Sequence, residues 1–229
     1  MRLERDGAVF VLQLDETENR FDPAWVAEFL GLLDEVESAS GPRALVTSGV
    51  GRFWSNGLSL DWITAHPDET PALIGPVHEM FARVLESPVP TVAAISGHAY
   101  AAGAMLAMAH DHRLMREDRG YLCFPEIDIG LPFSVGMTAL LTAKLTPVAV
   151  RDAMLFGRRY DSGAALAAGL VDGAAPLDSL LADAVELAAG LAGKDPAVLQ
   201  TIKRRTYAPA LAALRAGGED VRLTLPAPE

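Results

Sequence analysis

Two short turns and one carboxylate are the residues of this sequence best suited to chemistry. The turns span residues 54–58 and 96–103, and the carboxylate is Glu126, within residues 124–130. Small residues in both turns allow backbone N–H groups to stay unpaired and to point at a ligand. Two such donors aimed at one oxygen form an oxyanion hole, and a Glu in apolar surroundings can move a proton on the carbon beside a carbonyl. The pattern predicts chemistry through a stabilised enolate.

The second turn leads through Ala101, Ala102 and Gly103 into a helix. The first N–H groups of a helix have no partner inside it and lie at the positive end of its dipole. A close-packed helix entry explains the same residues equally well. The first turn is a weaker signal, because residues such as 56–58 are common in turns. Neither turn identifies a site alone.

Glu126 follows a proline and is flanked by the apolar residues Phe124, Ile127, Ile129 and Leu131. An apolar surround raises the pKa of a carboxyl group by desolvation, which is how a general base is tuned towards neutral pH. A solvated turn glutamate is the commoner situation, and the local sequence alone favours it.

The composition describes one globular domain, or one domain with a helical appendage. Of 229 residues, 50% are hydrophobic and 21% are charged, which is typical of a folded chain with a sizeable core. The single cysteine, Cys123, excludes an internal disulfide and a cysteine-rich metal site. The five histidines lack ligand spacing, so we expect no metal.

The formal net charge of −11 argues against nucleic acid or an anionic membrane as a partner. An anionic ligand would need a local cationic patch, for which Arg52 and residues 158–159 and 203–205 are candidates. Residues 87–109 carry no charged side chain except histidine, but prolines and glycines interrupt them, and 91–95 is better explained as a buried strand. Residues 1–6 lack the apolar core of a signal peptide, so we expect a cytoplasmic protein.

Hydrophobic periodicity predicts strands that alternate with helices, followed by helices alone. The predicted strands are 8–14, 43–47, 91–95, 111–115 and 121–124. The predicted helices are 23–40, 60–64, 71–86, 103–109, one from 147, 162–168, 177–191 and 196–207. From residue 134 onward nearly everything is predicted helical, and the last dozen residues are predicted to be a loose tail. This order favours an α/β core with a C-terminal helical extension.

Four ordered blocks of this sequence resemble the crotonase superfamily, also called the enoyl-CoA hydratase/isomerase family. The blocks are residues 51–60, 90–103, 125–131 and 164–171. The resemblance covers nearly the whole chain and implies an α/β fold, a crotonase-like spiral of ββα units with a C-terminal helical trimerisation region. The division that it implies is a core with the CoA site over 1–170 and a helical extension over 171–229. It also implies a homotrimer or a dimer of trimers.

Carried over by position, the oxyanion donors would be the backbone N–H groups of Leu58 and Ala102, holding the thioester oxygen of an acyl-CoA. The resemblance places the CoA moiety near one short segment and one lysine: Arg52, Phe53, Trp54, Gly57 and Lys203. No cofactor is implied, because coenzyme A is part of the substrate.

Hydratases of this family carry two glutamates, and this sequence departs from that pattern. The first of the two glutamates lies in the helix after the second turn, where this sequence has Met105, and only the second, Glu126, is present. A methionine can neither orient nor deprotonate water, whereas one carboxylate can move a proton from C2 to C4. The pattern therefore resembles the enoyl-CoA delta-isomerases of fatty acid metabolism. Hydration or other enolate chemistry on an acyl-CoA, and a catalytically idle acyl-CoA-binding trimer, remain the alternatives.

Overall fold

The computed structural model describes residues 1–15 and 18–216. The strands are β1 (Arg2–Asp6), β2 (Val9–Gln13), β3 (Arg20–Phe21), β4 (Ala44–Ser48), β5 (Phe53–Ser55), β6 (Gly57–Leu58), β7 (Thr91–Ile95), β8 (His98–Tyr100), β9 (His112–Arg116), β10 (Leu122–Cys123) and β11 (Gly173–Ala175). The helices are α1 (Pro23–Ser38), α2 (Leu60–Ala65), α3 (Thr70–Leu85), α4 (Ala102–Ala109), α5 (Val135–Lys144), α6 (Pro147–Val150), α7 (Ser162–Ala167), α8 (Leu177–Leu191), α9 (Pro196–Thr206) and α10 (Ala208–Arg215).

A six-stranded sheet in the order β1-β2-β4-β7-β9-β11 forms the centre of the fold. Only β1 and β2 pair antiparallel, and the other neighbours are parallel. Every residue of β4 and β7 is buried. This follows from their nearly continuous runs of apolar and small residues, which suit a strand covered on both faces. Helix α8 packs on one face of the sheet, over Val46 and Val92.

Three short strands form a second, parallel sheet in the order β10-β8-β5. Each of its strands follows a strand of the central sheet along the chain: β5 follows β4, β8 follows β7, and β10 follows β9. Helices α2 and α3 follow β5 and β6, and helix α4 follows β8. The predicted spiral of ββα units is therefore confirmed, and the second sheet brings the two predicted turns side by side.

The prediction that nearly everything after residue 134 is helical was wrong at one strand. Residues 173–175 form β11, which pairs with β9 at the edge of the central sheet. Its sequence, Gly-Ala-Ala, has no β-branched or aromatic residue to signal a strand. The boundary proposed at residue 170 thus precedes a strand and a helix that both pack against the core. The predicted loose tail, 218–229, lies outside the described residues.

The charge-free stretch 87–109 contains β7, β8 and the eight-residue helix α4. All residues of α4 are buried. Among the helices of the described residues, none has both the length and the apolar character needed to cross a membrane.

Candidate active site

The first turn is the connection from β5 to β6. Gly57 has φ +76°, a left-handed conformation that glycine adopts without strain. Leu58 pairs with Phe21 of β3, whose carbonyl accepts a hydrogen bond from Ser59 N–H. Successive amides of a strand point to opposite sides, so the N–H of Leu58 points away from β3.

The second turn joins β8 to α4 through Ala101, which has φ +51°. A left-handed conformation is strained for alanine. The turn is held by hydrogen bonds from Ala101 N–H to Cys123 O and from Met105 N–H to Ala101 O. Ala102 is the first residue of α4, so its N–H has no acceptor within the helix.

Glycines allow the backbones of the two turns to touch. A Cβ added to Gly57 would lie 2.9 Å from Ala102 N, and one added to Gly103 would lie 2.6 Å from Ser55 O. Real Cβ atoms do not approach backbone atoms so closely, so only glycine fits either position. The N-terminus of α4 and the first turn are therefore fixed against each other.

Glu126 lies in a turn after β10, and its backbone carbonyl accepts a hydrogen bond from Leu131 N–H. The residue is 7% exposed. Among the described residues, no hydrogen-bond donor reaches its Oε2 atom. Burial raises the pKa of the carboxyl group from 4.5 to about 8. Of the four apolar neighbours, Phe124 and Leu131 are buried, whereas Ile127 and Ile129 are exposed. The solvated alternative, which the local sequence alone favoured, does not fit the burial of Glu126.

A cavity of about 230 Å³ joins the carboxylate to the first turn. Its lining residues are Arg20, Asn56, Leu58, Leu60, Tyr100, Ala101, Pro125, Glu126, Ile129 and Leu131. Glu126 and Leu58 therefore face one space, with Ala101 of the second turn beside them. A buried carboxyl group next to backbone donors in a mostly apolar cavity can move a proton on a bound carbonyl compound.

The residues expected near CoA are dispersed. Arg52 is exposed and lines a second cavity of about 280 Å³ together with Arg116 and Arg119. Its guanidinium lies 5.3 Å from the centroid of the half-buried Phe53 ring. Trp54 is fully buried, with its indole N–H on Thr47 O. Its side chain therefore belongs to the core and cannot contact a ligand.

Lys203 lies elsewhere, in an internal ion pair. The side chain is 4% exposed, and its amino group lies 2.6 Å from Asp111 Oδ2 and 3.2 Å from Val89 O. These partners flank the start of β7, whereas the two turns follow the ends of β4 and β7. The lysine charge is thus paired inside the monomer. Contact of Lys203 with CoA, in this subunit or a neighbouring one, stays a prediction.

Sequence reasoning missed Asn19 and Arg20, which lie beside the first turn. Asn19 bonds to the backbone of Trp54, and Arg20 lines the cavity with its Nε 2.6 Å from Glu18 Oε2. The only local signal is the asparagine itself, a residue that tolerates a left-handed backbone. Its tertiary partners, more than thirty residues away, leave no trace in the local pattern.

Met105, which the resemblance places at the first of the two glutamate positions of the hydratases, is buried in α4. Among the described residues, no group of three or more His, Cys, Asp or Glu side chains is arranged to hold a metal ion. Glu126 is therefore the acidic residue among those that line the cavity.

Comparison with known proteins agrees with this fold. Residues 4–220 match the sequence model of the family described as Enoyl-CoA hydratase/isomerase. The chain belongs to the enoyl-CoA hydratase/isomerase family, as the resemblance predicted.

Similar proteins include two from Arabidopsis thaliana. Enoyl-CoA delta isomerase 3 is 37% identical over 90% of this chain and 91% of its own length. Peroxisomal enoyl-CoA delta isomerase 2 is 39% identical over 76% of each chain. The apo structure of an enoyl-CoA isomerase from Mycobacterium tuberculosis superposes with a TM-score of 0.89, with 28% identity over 98% of each chain. A crystal structure of the same protein, described there as a probable enoyl-CoA hydratase, superposes with a TM-score of 0.88, with 28% identity over 94% of this chain and 92% of its own length.

Proposed function

We propose that this protein is an enoyl-CoA delta-isomerase, which converts 3-enoyl-CoA into trans-2-enoyl-CoA. The observation that carries the proposal is the buried Glu126 Oε2, which has no donor among the described residues and belongs to a side chain lining the same cavity as Leu58. The activities named for the similar Arabidopsis proteins support the same reaction.

In the proposed mechanism, one carboxylate moves one proton. The carboxylate of Glu126 takes a proton from C2 of the 3-enoyl thioester, and the electron pair moves into a dienolate with negative charge on the thioester oxygen. The N–H groups of Leu58 and Ala102 donate to that oxygen. Glu126 then returns the proton to C4, the C2=C3 double bond forms and the carbonyl is restored. The reaction neither gains nor loses protons overall, and it needs no cofactor beyond the CoA of the substrate.

Hydration is the nearest alternative within the family. It requires a group that orients and deprotonates water, and the buried thioether of Met105 offers neither function. A single carboxyl group suffices for the double-bond shift, so the geometry favours isomerisation.

We propose that Arg52, Phe53 and the backbone of Gly57 contact the CoA portion of the substrate. The exposed guanidinium of Arg52 and its cavity with Arg116 and Arg119 suit phosphate groups. Arg52→Ala should raise KM for an enoyl-CoA several-fold and leave KM for the matching enoyl-pantetheine unchanged. Equal KM changes for both thioesters would contradict this contact.

We further propose a homotrimer or a dimer of trimers. Several large apolar side chains in the second half of the chain are exposed in the monomer, and contact with another copy would remove such side chains from water: Val135, Val148, Leu155, Phe156, Leu166, Val198 and Ile202. Light scattering after size exclusion should give three or six times the chain mass, whereas a monomer would contradict the proposal. A cytoplasmic location remains a prediction, testable by fractionation, and two similar proteins are named peroxisomal.

Two substrates separate the candidate functions. The purified protein should turn over trans-3-hexenoyl-CoA with growth of the conjugated enoyl-thioester absorbance, and should act on trans-2-hexenoyl-CoA plus water at least tenfold more slowly. Faster hydration than isomerisation would identify a hydratase. Binding of both thioesters without turnover would identify an idle relative.

A further inference from the structure

Asn19 is a buried asparagine that holds the backbone of the first turn. It is 1% exposed and has φ +48°. Its side-chain Nδ2 donates to Trp54 O at 3.1 Å and to Asp15 O at 3.0 Å, and its Oδ1 accepts from Asp15 N–H at 3.1 Å. Phe53 O lies 3.4 Å from the same Nδ2. The Asn19 side chain thus connects the segment between β2 and β3 to β5 by hydrogen bonds.

Ser55 extends this connection towards the proposed oxyanion donor. Its Oγ donates to the backbone carbonyl of Asn19 at 2.8 Å and accepts from the backbone N–H of Gly57 at 3.2 Å. Gly57 immediately precedes Leu58, so these bonds fix the peptide next to the proposed donor. The chain Asn19–Ser55–Gly57 is buried throughout.

The same serine contacts the N-terminus of α4. A Cβ on Gly103 would lie 2.6 Å from both the O and the Oγ of Ser55. Displacement of Ser55 would therefore move the first turn relative to Ala102. Asn19 and Ser55 are absent from the lining of the cavity, so they act through backbone geometry and not by touching a ligand.

We infer that Asn19, acting through Ser55, is a positioning residue that sets the direction of the Leu58 N–H relative to the Ala102 N–H. The inference rests on the proposed function, because it assumes that these donors hold the thioester oxygen. Oxyanion donors act only when they are aimed where charge develops, and a displacement of about 1 Å can cost about 100-fold in rate.

The test uses Asn19→Gly, Ser55→Ala and a matched control, Thr91→Val. Glycine adopts φ +48° freely, so Asn19→Gly removes the amide without adding backbone strain. Thr91 is equally buried, and its hydroxyl bonds to Asp111 at the opposite end of β7. Each variant is measured on trans-3-hexenoyl-CoA, with rates expressed per folded molecule from thermal unfolding.

Both test variants should lose about 10- to 100-fold in kcat while KM changes less than about threefold, and Thr91→Val should keep the wild-type kcat. A second readout is the enolate absorbance of bound acetoacetyl-CoA, which reports on the oxyanion donors without turnover. It should fall in both test variants only. An unchanged kcat and enolate absorbance in Ser55→Ala would overturn the inference, and this variant decides alone if Asn19→Gly fails to fold.

The two readouts separate this inference from the proposed function. Wild-type protein that stabilises the acetoacetyl-CoA enolate without isomerising 3-enoyl-CoA would refute the isomerase proposal, and the enolate absorbance of the variants would still decide the role of Asn19. Wild-type protein that does neither would overturn both.

Discussion

At the scale of single residues, the environment of Glu126 determines when it can act as a base. Its carboxyl group is buried, no donor among the described residues reaches Oε2, and burial raises its pKa to about 8. A base with a pKa near the working pH combines a useful population of its charged form with enough basicity to remove a proton. The resting carboxyl group is mostly protonated at pH 7.

The pH dependence of activity should follow this carboxyl group. We expect kcat/KM for trans-3-hexenoyl-CoA to rise about tenfold per pH unit between pH 6 and 7, and to level off above about pH 8, since only the carboxylate accepts the C2 proton. Initial rates from pH 6 to 9 measure this. A flat profile would contradict Glu126 as the base.

The same shift predicts a pH dependence of stability. Between pH 4.5 and about 8 the folded protein keeps a proton on Glu126 that the unfolded chain has lost, so the free energy of unfolding falls as pH rises through this window. Glu126→Gln removes the effect. As pH rises through this window, the free energy of unfolding of the variant should increase relative to that of wild type by at most about 1.4 kcal/mol per pH unit. Urea unfolding at pH 5 and pH 8 measures this. Glu35→Gln, on the exposed face of α1, is the control and should show no such trend.

The neighbours of Glu126 in the sequence suggested an apolar surround, but the local sequence alone favoured a solvated side chain, and it could not predict an unpaired Oε2 atom. Whether a donor reaches that oxygen depends on Leu58, Leu60 and Tyr100, which enter the cavity from other elements. The role of Asn19 was still harder to predict from the sequence, because its hydrogen-bond partner Trp54 is 35 residues distant.

At the scale of elements, the site depends on two turns that touch backbone to backbone. Gly57 and Gly103 provide the contact. The sequence predicted β7 and α8 within their observed bounds because long apolar runs and clear end signals define them. It missed β1 and β11, whose mixed or very short patterns become regular structure only through pairing with β2 and β9.

Gly103→Ala should damage both stability and catalysis, because the added methyl group would meet Ser55 O at 2.6 Å. We expect a loss of about 1–3 kcal/mol in the free energy of unfolding and at least tenfold in kcat. Gly31→Ala, in helix α1 with nothing within 4 Å of the new Cβ, is the control and should stabilise the protein by up to about 1 kcal/mol. Equal behaviour of the two variants in denaturation and turnover would refute close packing at the turns.

At the scale of the whole molecule, helices α8 and α10 in the C-terminal part of the chain pack against the core. Helix α10 packs on α3 and α5, and α9 carries Lys203 to Asp111 at the junction of α4 and β9. Buried Lys203 holds α9 to the start of β7. Composition predicted one globular domain, or one with a helical appendage, and the alternation of strands and helices predicted its α/β class. The inward direction of this lysine could not be deduced from its basic neighbours.

Lys203→Met should therefore lower the free energy of unfolding by about 3 kcal/mol, because it leaves Asp111 without its buried partner. KM for an enoyl-CoA should not change. Lys194→Met, at an exposed lysine, is the control and should leave both quantities near wild type. A raised KM with retained stability would instead support contact between Lys203 and CoA.

The central claim is that Glu126 moves the proton, and one measurement tests it most directly. Wild-type protein and Glu126→Gln are mixed with trans-3-hexenoyl-CoA, and the conjugated enoyl-thioester absorbance is followed over time. We predict steady growth for wild type and a rate at least about a thousandfold lower for the variant, which should still bind CoA, because base and acid are the same group. Growth at a similar rate in Glu126→Gln would contradict the account.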